Sequence, residues 1–143
     1  MASRSLQFVL AAVLLAASAQ AVACRCVEPA STSRAYRTAP SVVLASVQSV
    51  EGVGDAPGGA RATLRISEAW KTAMPPTVDV RTSTTCAFDF RPGTEYLLYL
   101  RRGEQAGEWT TRICLGNRPS ADAGEALDWL RRHGQRAPVR TPR

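Results

Sequence analysis

The chain has 143 residues, of which 45% are hydrophobic and 21% charged, with a formal net charge of +6 and a pI near 9.8. This length suits one domain, and the apolar fraction is too high for an intrinsically disordered chain. The single histidine, His133, excludes catalytic and metal sites that are built on pairs of histidines.

Residues 1–23 have the form of a secretory signal peptide. Arg4 supplies the positive start, an apolar run over residues 6–17 follows, and the small residues Ala21 and Ala23 precede Cys24. The apolar run is too short to span a bilayer, and we expect no transmembrane segment in the mature chain. We therefore predict cleavage after Ala23, with cleavage after Ala21 as the alternative, and a secreted or periplasmic protein that starts at Cys24.

Cys24 also allows a different N-terminal fate, because bacterial lipoproteins are cut just before a cysteine that then carries the lipid. Their usual motif has Leu, Val or Ile three residues before the cut, where this chain has Ala21. A lipidated Cys24 has no thiol left for a disulfide, so the two fates exclude each other. The intact mass of the mature protein distinguishes them.

All four cysteines, Cys24, Cys26, Cys86 and Cys114, lie in the predicted mature chain. An even number in an exported protein favours disulfides over metal thiolates, although a four-cysteine zinc site or a redox pair is the alternative. A bond between Cys24 and Cys26 would close a very small and strained ring. The residues alone leave two pairings open: Cys24–Cys86 with Cys26–Cys114, or Cys24–Cys114 with Cys26–Cys86.

Hydrophobic periodicity and turn residues predict five short strands between two helices. The predicted helices cover 31–39 and 121–133, the second capped by Ser120, and the predicted strands cover 41–50, 62–70, 78–83, 96–100 and 109–114. Residues 135–143 are predicted to form a disordered basic tail. Five strands at these intervals, with turns between them, indicate a small antiparallel barrel or sandwich with the second helix packed on it.

The aromatic residues are predicted to pack in the core rather than to hold a ligand. This applies to the three tryptophans, Trp70, Trp109 and Trp129. Tyr96 and Tyr99 have opposite parity along the fourth strand, so we expect one inside and the other nearer solvent.

Three segments of the chain share features with one known family. The predicted mature chain starts with Cys24-Arg25-Cys26-Val27, and Pro29 follows closely. The other matching features are Trp70-Lys71, residues 85–88 with Gly93 and 96–98 after them, and Cys114 before the C-terminal helix. With these features the chain resembles the netrin-like domain family, and in particular the N-terminal domain of tissue inhibitors of metalloproteinases.

The resemblance covers nearly the whole mature chain and carries structural expectations. It implies a mainly β fold over residues 24–134: an OB-like five-stranded Greek-key barrel with flanking helices, including a C-terminal helix. It also implies the disulfide pairing Cys24–Cys86 with Cys26–Cys114.

The same resemblance implies an inhibitory function without a catalytic residue or a cofactor. In the family, the α-amino nitrogen and the carbonyl oxygen of the first cysteine bind the catalytic zinc of a metalloproteinase, which is the role of Cys24 here. The second residue enters the main specificity pocket of the target, which is the role of Arg25. The implied inhibitory site consists of Cys24, Arg25, Cys26, Val27, Thr84 and Thr85.

Arg25 is long and cationic where the animal inhibitors have a small residue, which favours either a target with an acidic pocket or a function without a protease. The alternative is therefore an exported netrin-like binding module for a protein or a cell-envelope polymer, without protease inhibition. The positive charge favours anionic cell-surface polymers as partners. We predict no nucleic-acid partner, because no stripe of aromatic and basic residues is evident, and no enzyme, because no nucleophile is paired with a base.

Overall fold

A computed structural model describes residues 24, 26, 31–52, 59–82 and 86–140. Its helices are α1 (Thr32–Thr38) and α2 (Gly124–His133). Its strands are β1 (Ser41–Glu51), β2 (Arg61–Trp70), β3 (Thr77–Thr82), β4 (Glu95–Arg102), β5 (Trp109–Thr111), β6 (Arg118–Pro119) and β7 (Arg136–Ala137). Two short 3₁₀ helices cover Ile113–Leu115 and Ser120–Asp122. The predicted signal peptide lies outside the described residues, and within these no helix is long and apolar enough to cross a membrane.

Five strands close into a barrel in which every strand has two neighbours. The order around the barrel is β1-β2-β3-β5-β4, and β4 pairs again with β1. All neighbouring pairs are antiparallel except β3 and β5, which are parallel. This arrangement is an OB-like Greek-key barrel with a helix near its C-terminus, so the predicted fold class is confirmed.

Strand β1 makes the closure possible because it is long and irregular. It pairs with β2 along one edge and with β4 along the other, and its register to β2 shifts between Leu44 and Ala45 and again between Val47 and Ser49. Such irregularities increase the twist and bend of a strand. One strand can therefore contribute to both sides of a small, strongly curved barrel.

The protein has two hydrophobic cores, one inside the barrel and one outside it, because β1 and β4 are buried on both of their faces. The inner core fills the barrel and includes Val43, Leu64, Val80, Leu98 and Trp109. The outer core lies between the sheet and the two helices and includes Ala35, Trp70, Leu97, Tyr99 and Leu130. The apolar stripe of α2 thus packs on the sheet, as its spacing predicts.

The two tyrosines of β4 are both buried. Tyr96 is 4% exposed in the inner core and Tyr99 is 1% exposed in the outer core. The prediction that one of them lies nearer solvent is wrong, because α1 and α2 cover the outer face of this strand. Trp70 and Trp109 are buried as predicted, whereas Trp129 is half-buried and stacks on the ring of His133.

Strand β5 is shorter than predicted, since it ends at Thr111 and the chain then forms the 3₁₀ helix Ile113–Leu115. The side chain of Asn117 explains the early end. Its Oδ1 accepts a hydrogen bond from the backbone N–H of Tyr99 at 2.8 Å, and its Nδ2 donates to the hydroxyl of Thr111 at 2.7 Å. The backbone N–H of Tyr99 on β4 is therefore already bonded to Asn117 and is not free to pair with a longer β5.

Helix α2 begins at Gly124, later than the predicted start at residue 121. Ser120 does not cap it with its side chain, because residues 120–122 form a 3₁₀ helix in which the Ser120 carbonyl accepts the N–H of Ala123 at 3.1 Å. This tighter turn leads the chain from β6 onto the outer face of the sheet. Ser31 does cap α1, through a bond from the N–H of Arg34 at 3.4 Å.

Residues 136–140 are ordered, so the prediction of a disordered tail is wrong for this part. Strand β7 pairs with the end of β2, and the N–H of Arg140 donates to the carbonyl of Met74 at 3.0 Å. Glu68 of β2 also contacts Arg131 at 2.6 Å and Arg136 at 2.9 Å. Sequence reasoning considered only the charge and the prolines of this segment and missed its partners on and just after β2.

Candidate functional site

Two disulfides attach the predicted mature N-terminus to the barrel. Cys24 is bonded to Cys86 with a Cα–Cα distance of 5.5 Å, and Cys26 is bonded to Cys114 with a Cα–Cα distance of 5.3 Å. This is the pairing that the family resemblance implies. The bonds join residues that are 62 and 88 positions apart, so both ends of a three-residue segment are held to distant parts of the fold.

The barrel topology explains why these cysteines meet. Because β3 and β5 are parallel, with Thr82 opposite Thr111, both strands leave the barrel at the same end. Cys86 follows the end of β3 and Cys114 follows the end of β5. The N–H of Ile113 donates to the carbonyl of Cys86 at 3.1 Å and links the two segments directly.

The segment around Cys86 has an uncommon backbone conformation. Its φ of 63° lies in the left-handed region, which residues other than glycine adopt infrequently. Its carbonyl is fixed by Ile113, and the N–H of nearby Phe88 donates to the buried hydroxyl of Thr82 at 2.6 Å. Local hydrogen bonds and a disulfide therefore hold the strained residue in place.

Much of this assembly is accessible from outside. Cys26 is exposed, and Cys24, Cys86 and Cys114 are half-buried. Ile113 is 36% exposed and is the exposed large hydrophobic residue of the described chain. We call these five residues the N-terminal ridge. Sequence reasoning missed Ile113 because it placed this residue in a fifth strand, and its only signal was an apolar side chain beside a cysteine.

Only part of the predicted inhibitory site can be placed. Cys24 and Cys26 lie on the ridge, whereas Arg25, Val27, Thr84 and Thr85 lie outside the described residues. Within the described part of the chain, no cluster of histidine, cysteine, aspartate or glutamate could hold a metal ion.

The Trp70-Lys71 pair, which contributes to the family resemblance, has contacts that stabilise the fold. Trp70 is fully buried in the outer core. The ammonium group of Lys71 donates to the carbonyls of Tyr36, at 2.9 Å, and of Ala39 at the end of α1. A cation at a helix C-terminus is favourable for the helix dipole, so this pair joins β2 to α1.

No family model matches this chain, and a search of curated proteins finds no significant relative. The netrin-like assignment is therefore a resemblance that rests on the residues named above. Independently of that resemblance, the structure is a five-stranded mixed β-barrel with two disulfides at one end.

Proposed function

We propose that the protein is an exported inhibitor of zinc metalloproteinases, similar to the N-terminal domain of tissue inhibitors of metalloproteinases, and that it acts through the backbone of Cys24. The observation that supports this proposal is the pair of disulfides that holds Cys24 and Cys26 on the accessible N-terminal ridge. An N-terminus is normally disordered. Its attachment at the first and third residues of the predicted mature chain therefore supports a function for this segment.

The chemistry requires only main-chain atoms. A catalytic zinc keeps one position open for water or substrate, and an α-amine with its own carbonyl can displace that water as a five-membered chelate. An α-amine has an ordinary pKa of about 7.7–8.0, so its deprotonation at neutral pH costs only about 1 kcal/mol. The zinc belongs to the target enzyme, and the amine of Cys24 donates its lone pair to that metal.

The disulfides also reduce the entropic cost of binding. Ordering one residue of a flexible peptide costs about 1–2 kcal/mol, and the segment from Cys24 to Cys26 is already held at both ends before it meets a target. Pre-organised segments of this kind lose less conformational freedom on binding. A free peptide of the same sequence should therefore bind much more weakly than the intact domain.

In this proposal the neighbouring residues determine which protease is inhibited. Arg25 enters the main specificity pocket, and its cationic side chain favours a pocket with an acidic residue. Val27, Thr84 and Thr85 contact the target beside it, and Ile113 adds an apolar contact from the ridge. The variant Arg25→Ala should shift inhibition toward enzymes with small or apolar pockets.

The amine can be tested directly by blocking it. Mature protein starting at Cys24 is compared with protein that has one alanine before Cys24 and with N-acetylated protein, and the control has one alanine after Arg143. Each is titrated against a panel of zinc metalloproteinases that includes one with an acidic specificity pocket, using cleavage of a fluorogenic peptide.

We expect the mature and control proteins to inhibit at least one enzyme, and both blocked proteins to be about 100-fold weaker or inactive. Equal potency of the blocked proteins, or no inhibition by the mature protein across the panel, overturns the proposal. The intact mass of exported protein tests its premise, since an acylated or extended N-terminus has no free amine at Cys24.

A second candidate function is an exported binding module for a cell-envelope polymer. A groove lined by several arginines on the face formed by β3, β5 and β4 favours it. Binding of this kind does not involve the Cys24 amine and should survive the N-terminal block.

A further inference from the structure

A groove of about 570 Å³ lies on the barrel where β3, β5 and β4 run side by side. Arginines dominate its lining: Arg81 from β3, Arg101 and Arg102 from β4, and Arg112 just after β5. The turn over residues 103–108 forms one wall. We call this feature the arginine groove, and its volume lies in the range of ligand sites in proteins.

The groove has a surplus of positive charge. Its four arginines face two acidic residues, Glu104 and Glu108. Glu108 is engaged by Arg81 at 3.3 Å, and its other carboxylate oxygen accepts the N–H of Gln105 at 3.3 Å. Arg101, Arg102 and Arg112 are exposed, and none of them forms an ion pair with a described carboxylate.

The groove is formed before any ligand arrives. The N–H of Gly103 donates to the carbonyl of Glu108 at 2.9 Å, and the N–H of Glu108 donates to the carbonyl of Gln105 at 3.1 Å. The guanidinium of Arg102 lies 3.9 Å from the ring centroid of Trp109, which fixes it by a cation–π contact. The wall and one of the cations therefore need little reordering on binding.

The charges are spread across the sheet. Arg81 is opposite Thr110, and Thr110 is opposite Arg101. Residues directly opposite each other point to the same face, and neighbouring strands are about 4.8 Å apart, so these three residues form a row across three strands. Arg112 extends the positive surface past the end of β5, and a ligand with repeated anionic groups can contact several of these arginines at once.

The lining argues against two other classes of ligand. A peptide cannot add as a strand, because β5 is already paired on both edges and the closed barrel has no free edge there.

Single-stranded nucleic acid binds by stacking its bases on aromatic side chains. No aromatic residue is among the described lining residues of the groove, and Trp109 is only 4% exposed. Leu115 is the apolar lining residue, so the groove also lacks a pocket for a hydrophobic anchor.

We propose that the arginine groove binds an anionic polysaccharide, with Arg101, Arg102 and Arg112 contacting its sulfate or carboxylate groups and Thr110 contacting its hydroxyls. Guanidinium groups bind such anions through paired, charge-assisted hydrogen bonds. This inference rests on the second candidate function and not on protease inhibition. Because Arg112 and Leu115 flank Ile113 and Cys114 in sequence, the groove borders the N-terminal ridge.

Binding is measured by calorimetry with the mature protein and with the protein that has an alanine before Cys24. The probes are a heparin oligosaccharide, polygalacturonate, neutral dextran and a single-stranded oligonucleotide of the same charge as the heparin fragment. We expect both proteins to bind the two anionic polysaccharides, with affinity that falls as salt rises, and not to bind dextran. Tighter binding of the oligonucleotide than of both polysaccharides overturns the proposal in favour of nucleic acid. Polysaccharide binding by a mature protein that inhibits no protease contradicts only the function at Cys24, whereas loss of inhibition in the alanine-extended protein alone is the result expected for that function.

Matched variants locate the site. The double variant R101Q/R112Q should weaken polysaccharide binding at least about tenfold and lower the salt slope by about one per arginine removed. The control R65Q/R132Q removes the same charge from exposed arginines on β2 and α2 and should change affinity less than about twofold. Equal losses of affinity in both variants would show that only the net charge of the protein matters. That result would overturn the assignment of the binding site to the groove.

Amide shift mapping of the wild-type protein gives a second test that needs no variant. Heparin oligosaccharide should shift the amides of Gly103, Thr110 and Thr111 and leave those of α2 unchanged. Shifts confined to other surfaces would contradict the proposal.

Discussion

The N-terminal ridge and the helical layer formed by α1 and α2 are attached to the same barrel by different interactions. The ridge is held by two disulfides, and its residues remain exposed or half-buried. The helical layer is held mainly by apolar contact, with Trp70 and Leu130 fully buried and Tyr99 1% exposed. Covalent attachment can therefore hold a backbone in place and leave it accessible, whereas attachment by packing requires the contacting surface to be buried.

The strongest test of this comparison removes the covalent attachment. The variant C26A/C114A, in protein that retains Cys24–Cys86, should lower the free energy of unfolding by about 4 kcal/mol, because each disulfide closes a long loop in the unfolded chain. Urea unfolding followed by circular dichroism measures the loss. A decrease of less than about 1 kcal/mol would mean that the ridge is held mainly by other contacts.

Removing a buried side chain tests the helical layer. Leu130→Ala should lower the free energy of unfolding by about 3 kcal/mol, since it leaves a cavity in the outer core between α2 and the sheet. Arg132→Ala, at an exposed position of the same helix, is the control and should change stability by less than about 0.5 kcal/mol. Similar values for both variants in urea unfolding would contradict the docking of α2. We expect neither change to affect the proposed inhibition at Cys24.

The smallest effect concerns the alkaline stability of the helical layer. Burial raises the pKa of Tyr99 above its ordinary value of 10.0, and the opposing charge of Arg118 does not reverse the shift. Above about pH 10 the unfolded tyrosine loses its proton before the folded one, so the free energy of unfolding should fall as the pH rises from there toward the folded pKa.

Tyr99→Phe removes this contribution and should flatten the decline of stability between about pH 10 and 12, without a matching change between pH 6 and 9. Thermal unfolding of both proteins over the two pH ranges measures the difference. An equally steep alkaline decline in the variant would assign it to other groups.

The strands were predictable because each is a short apolar run bounded by turn residues. The structure confirms strands at all five predicted places, and helices at both, with differences mainly at their ends. The ends of β5 and α2 were missed because they depend on long-range bonds, such as those of Asn117 to Tyr99 and Thr111. The ordering of residues 136–140 was missed for the same reason, since their partners lie on and just after β2.

The candidate site was predictable only in part. The C-x-C start after a signal-like segment identified Cys24 and Cys26 from local pattern alone. The arginine groove gave no local signal, because Arg81, Arg101 and Arg112 are far apart in the chain and meet only when β3, β5 and β4 pair. The contribution of Ile113 to the ridge likewise depends on the turn that follows β5.

The sequence by itself determined the five strands of the barrel, many of the residues that fill the cores and the four cysteines available for crosslinking, because these follow from apolar spacing and composition. The residues alone left two disulfide pairings open, and the tertiary structure decided between them. The parallel pairing of β3 and β5 brings Cys86 and Cys114 to one end of the barrel, where the first pairs with Cys24 and the second with Cys26. The sequence shows which cysteines are available for disulfides. Which of them come within bonding distance depends on how strands that are distant in sequence are arranged in space.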